Sequence, residues 1–153
     1  MKSLIISFSF LILIHVHLSG QTVNPEYDKA LADSLGADDN GMKSYVLVIL
    51  KTGPAVIEDK DLRAKLFKGH MDNINKLVKE KKLFVAGPFG KNDLSYRGLF
   101  ILNVKTIEEA KVLCETDPAV KEGIFDVELI PWYGSAALGE YIKASEKITK
   151  FKM

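Results

Sequence analysis

Cysteine occurs once, at Cys114, tryptophan once and histidine only three times in the 153 residues. A single cysteine excludes an internal disulfide framework and any multi-cysteine metal cluster. Neither sign of charge dominates: 21 basic residues stand against 20 acidic ones, a net +1. That balance gives no whole-chain electrostatic case for nucleic acid, which asks for a clearly basic footprint. No uninterrupted apolar run reaches the about 20 residues of a membrane-spanning helix. What is present is ordinary for one globular α/β-type domain: 47% hydrophobic and 27% charged residues, a mixture outside the disordered and fibrous ranges.

The most apolar stretch, Leu4 to Ile14, is broken by two serines and preceded by Lys2. A positive start, a short apolar core and small residues at Ser19 and Gly20 read as a secretory signal peptide over residues 1–20, with an uncleaved N-terminal anchor as the alternative. The expected localisation is therefore exported, periplasmic or secreted, with no stable membrane insertion once the signal is removed. His15 and His17 leave with it, so His70 is the one histidine of the expected mature chain.

Residues 21–42 form an acidic leader, with Glu26, Asp28, Asp33, Asp38 and Asp39 against Lys29 and room for one helical turn. The globular part spans 43–134. Tyr45 to Leu50 is a continuous apolar run rich in β-branched residues, the mark of a buried strand, ended by Gly53-Pro54. Apolar residues at 62, 66, 67, 74, 77 and 78 repeat at helical spacing over 61–82. Leu83 to Ala86 reads as a strand stopped by Gly87-Pro88, and Gly98 to Val104 as another. Thr106 and Glu109 make a capping box that opens a second helix, and Asp117-Pro118 stops it. Phe125, Val127 and Leu129 alternate with charged residues in a strand that ends at Pro131. Residues 135–153 form an amphipathic terminal helix, read as docked on the domain rather than on a membrane surface.

Strand, helix, strand, strand, helix, strand is the ferredoxin-like βαββαβ order of an α+β subunit. Its first and third strands belong in the sheet centre, and those are the two runs apolar on both faces. Two helices cover one face only. A second copy packed sheet to sheet would cover the other, so a homodimer is expected. The alternative is a monomer whose N- or C-terminal extension does the covering.

Chemistry-bearing residues are few. At about 100° per residue, His70 falls in the middle of the apolar arc of the first helix, facing the sheet. A buried imidazole needs partners for its nitrogens, since an unpaired buried polar group costs about 1–3 kcal/mol. It is then a core histidine or a base. Asp117, held extended before a proline, is a helix-stop residue or a carboxylate that accepts an imidazole N–H and leaves the other nitrogen free to take a proton. Gly87-Pro88-Phe89-Gly90 lacks phosphate-loop spacing, Cys114 lies on a buried helix face, and no serine or cysteine nucleophile signature occurs. No metal and no cofactor are expected.

The chain from Ser44 to Tyr133 resembles the YCII-related family of the dimeric α+β barrel superfamily. The resemblance rests on YVLVILKTGP at Tyr45 to Pro54, the helix histidine His70, AGPF at Ala86 to Phe89, DPAVKEG at Asp117 to Gly123, and Ile130-Pro131-Trp132. It implies a ferredoxin-like subunit in a sheet-to-sheet dimer, with a histidine–aspartate pair at His70 and Asp117 lining a small pocket walled by Gly87 and Pro88. The expected function is a cofactor-independent enzyme for proton abstraction or lyase-type elimination on a small molecule, in a pocket facing the dimer sheet. Two alternatives stand beside it: a non-catalytic small-molecule binding module, and an envelope interaction protein that docks a partner through its leader or tail.

Overall fold

The computed structural model of the protein describes residues 24–150. The expected signal segment 1–20 and the last three residues of the tail lie outside the described residues. The leader contains one helix, α1 (Lys29–Leu35), capped by Asp28 and closed by Gly36 in the left-handed region at φ 70°. Then follow β1 (Met42–Thr52), α2 (Lys60–Lys79), β2 (Leu83–Pro88), β3 (Tyr96–Leu102), α3 (Ile107–Cys114), α4 (Pro118–Lys121), β4 (Phe125–Ser135) and α5 (Leu138–Ile148). Among the described residues no helix is long and apolar enough to cross a membrane.

The four strands form one antiparallel sheet in the order β2-β3-β1-β4, the ferredoxin-like arrangement with the two most apolar strands central. Strand parity sorts the core into two layers. Val46, Val48 and Leu50 of β1 and Phe100 and Leu102 of β3 face α2 and α3, packing with Leu77, Ala110 and Cys114. The opposite face presents Tyr45, Leu47 and Ile101, and α5 lays Leu138 and Ile142 over that cluster beside Phe84. The C-terminal extension thus covers one corner of the second face. Ile130 and Trp132 on β4 remain 37% and 38% exposed.

Local chemistry explains where elements begin, and three ends differ from expectation. Asp59 caps α2 by accepting from the backbone of Asp61 and Leu62. The Thr106–Glu109 capping box starts α3 as the sequence predicts. Strand β2 does not stop before Gly87-Pro88; it runs through Pro88, which lies opposite Gly98. Strand β4 does not stop at Pro131 either, and its last residues pair with Met42 to Tyr45. Both are edge strands, where a proline can turn its missing N–H outward without losing a ladder bond. Finally, Asp117-Pro118 both ends α3 and opens α4, with Asp117 as N-cap and Pro118 in the first turn.

The leader is fastened rather than loose. Asp38 accepts from the backbone of Asn40 and Met42 and from the Tyr133 hydroxyl, and those bonds hold its carboxyl below the usual carboxylate range.

Candidate functional site

Leu66, His70, Asn73 and Leu77 are the buried residues of α2. Their spacing of three and four keeps them on one face, turned towards the sheet and α4. His70 is 8% exposed and Asp117 1%. The His70 Nδ1 lies 2.5 Å from Asp117 Oδ2, while Asp117 Oδ1 accepts the Ala119 N–H at 2.9 Å. One carboxylate therefore caps a helix and orients an imidazole. With the Asp117 carboxylate ionised it can only accept, and Nδ1 then carries the proton of this bond. One turn further along α2, Asn73 accepts from the Thr116 hydroxyl at 3.0 Å and fastens α2 to the segment bearing Asp117.

Two phenylalanines frame the imidazole: Phe100 stacks at 6.0 Å between centroids, and Phe125 lies tilted at 5.2 Å. His70 opens onto a cavity of about 540 Å³ whose wall includes Phe67, Phe100, Phe125, Gly87 and Pro88. Nε2 has no hydrogen-bond partner among the described residues, yet none of their sealed side-chain nitrogens or oxygens lacks one. Nε2 is therefore not sealed. Its opening is the cavity that the ring lines.

The cavity is on the helix side of the sheet, between α2 and the β2–β3 hairpin. This corrects the expectation of a pocket facing the dimer sheet: Leu50 and Phe100, which line it, have helix-facing parity. The four residues singled out from the sequence divide by place. His70, Gly87 and Pro88 meet the cavity, and Asp117 stands behind His70, on a small recess shared with Cys114. Burial, with the Asp117 charge second, pushes the Cys114 thiol up to about 12. A thiol so protonated is no nucleophile near neutral pH.

Sequence reasoning misses Gly69, Asn73 and Arg97. Arg97 lines the cavity from β3. Gly69 lets α2 approach α4: a Cβ there would stand 2.6 Å from Pro118 Cγ. That contact is about 1 Å inside normal carbon–carbon separation. Gly69→Ala would gain about 1 kcal/mol of helix propensity against an overpacking cost of about 1–3 kcal/mol. A lower urea midpoint and a longer His70–Asp117 separation are expected. A raised midpoint would show that Pro118 yields and that Gly69 sets no spacing.

An α+β ferredoxin-like domain that holds a buried imidazole–carboxylate pair beside an apolar cavity is the class that fold and site define. The family model of the YCII-related domain matches residues 44–133, and the chain belongs to that family. Among solved structures it is similar to 5-chloro-2-hydroxyhydroquinone dehydrochlorinase from Burkholderia phenoliruptrix, determined in complex with 2,5-dihydroxybenzoquinone. That likeness has a TM-score of 0.41 at 21% identity, over 57% of this chain and 92% of the other. No curated protein matches the chain.

Proposed function

We propose that this protein is a cofactor-independent enzyme in which His70 Nε2 takes a proton from a small molecule held in the cavity. One observation carries the reading: Asp117 occupies Nδ1 and leaves the lone pair of Nε2 open to a mostly apolar cavity. In an elimination, Nε2 removes a proton from carbon, the released electron pair forms the double bond, and the leaving group departs with its own pair. The buried Asp117 carboxylate then stabilises the imidazolium until the proton passes on. Positioned general bases contribute about 10²–10⁴ in rate.

A screen of small cyclic enones and haloaromatics for turnover tests it. The parent is expected to convert at least one class, and His70→Gln to lose about 10²–10⁴ of that rate. A compound that binds and stays unchanged would instead assign the cavity to a binding module. The partly exposed Ile130 and Trp132 beside Leu47 support a sheet-to-sheet homodimer in the same reading.

Export completes it, supported by Lys2 and the apolar run that follows. Mass spectrometry of the protein from its native host should find a chain that begins near Gln21. An intact Met1 in the soluble cytoplasmic fraction would contradict export.

A further inference from the structure

We propose that the molecule bound in this cavity carries an anionic group, a carboxylate or comparable oxyanion, on a small aromatic or cyclic body, and that Arg97 and Arg63 receive that group. The proposal rests on the cavity beside His70 being the binding site and names the class of ligand it takes.

Arginine is scarce in this chain: Arg63 and Arg97 are the only two, against nineteen lysines. Both stand at the same place. Arg97 lines the cavity, and both arginines line an adjoining recess of about 250 Å³ that shares Phe67, Arg97 and Phe125 with it. No acidic side chain lines either space. Every ion pair among the described residues uses a lysine or His70, so neither arginine is neutralised by a carboxylate. Asp59, one turn before Arg63, accepts from the Asp61 and Leu62 backbone at the start of α2.

Each guanidinium is also held. Arg97 Nε donates to Thr52 Oγ1 at 2.6 Å, which leaves its two terminal nitrogens as a fork. The Arg63 guanidinium lies over the Phe67 ring at 5.8 Å from the centroid. A preoriented planar fork matches the two oxygens of a carboxylate, and less is lost on binding when the fork is already placed. The remaining walls are phenylalanine and aliphatic, which suits a flat apolar body between the charged end and His70. An anion at one end and a base at the other fix which carbon of the ligand meets Nε2.

Paired titrations of the full chain with 2-naphthoate and 2-naphthamide, which share a ring and nearly a shape, test the proposal. Binding is read by calorimetry, and its place by the ring resonances of His70, identified by their absence in His70→Gln. The parent should bind the carboxylate about tenfold or more tightly than the amide. That preference should shrink with added salt. Arg97→Gln and Arg63→Gln should each reduce it, and the double variant should bring the two probes level. Equal affinity in the parent overturns the anion and leaves the cavity reading standing. A preference that survives in the double variant overturns the two arginines. If neither probe moves the His70 resonances, the binding-site reading falls and takes the proposal with it.

Discussion

Asp117→Asn is expected to leave the chain folded and yet reverse the tautomer of His70. Asparagine and aspartate are nearly equal as helix caps, so the carbonyl oxygen of the introduced amide keeps the Ala119 N–H. Its NH₂ group must then face Nδ1, where the parent has a carboxylate oxygen. An NH₂ group only donates, so Nδ1 becomes the acceptor and the ring proton moves to Nε2. The nitrogen that opens to the cavity is then a donor and takes no proton. A base held in the wrong tautomer costs up to about 10⁴ in rate, and here a fall of about 10²–10⁴ in turnover is expected with little change in midpoint. Imidazole ¹⁵N spectra of the full chain read the tautomer, and His70→Gln identifies the signals. Asp117→Ala makes the contrast, losing a cap worth about 0.5–2 kcal/mol and leaving a buried donor unpaired at about 1–3 kcal/mol. The same tautomer in the parent and in Asp117→Asn, with both folded, would remove Asp117 from the mechanism.

Ile130→Asp is expected to convert the proposed dimer to a monomer at micromolar concentration without unfolding it. Ile130 lies opposite Leu47 on the face away from α2 and α3, and its side chain already meets solvent in one subunit. In a two-fold sheet-to-sheet contact the new carboxylate enters twice and meets apolar surface each time. A desolvated, unpaired charge costs an interface about 2–5 kcal/mol, a factor of roughly 30 or more in affinity. Val48→Asp places the same charge on the helix face, at a residue with 0% exposure, and should unfold the subunit. Sedimentation of the three chains separates the outcomes. A parent that is monomeric at micromolar concentration, or an Ile130→Asp chain that stays dimeric, would defeat the sheet-to-sheet arrangement.

Much of this fold is legible in the residues because the two central strands are apolar on both faces while β4 alternates apolar and charged residues. Tyr45 to Leu50 and Gly98 to Val104 therefore announce themselves, and Thr106 with Glu109 carries its own start signal. His70 is legible as an inward residue by angular position alone. Less legible is anything decided by contact between distant segments. Asp117-Pro118 carries the signature of a helix start as well as of a helix stop, and only the fold shows that both apply. That β2 runs through Gly87 to Pro88 and β4 runs past Pro131 depends on both being edge strands, which is a property of sheet order rather than of the local run. The side on which the cavity opens depends on strand parity. Gly69 gives no periodic signal, since its role is the space left for Pro118. The two arginines could have been found by their rarity, but their convergence requires the hairpin and α2 together.

The prolines at positions 88 and 131 have a consequence for growth as well as for pairing. An antiparallel sheet with free margins is a template on which further strands can be laid, and repeated addition leads to fibrils. This sheet has two margins, β2 and β4, and each carries one residue with no hydrogen to offer an incoming chain. Lateral extension is thus interrupted on both sides. In the proposed dimer, association through the remaining open surface uses up that surface when two copies meet. Such an assembly is self-terminating.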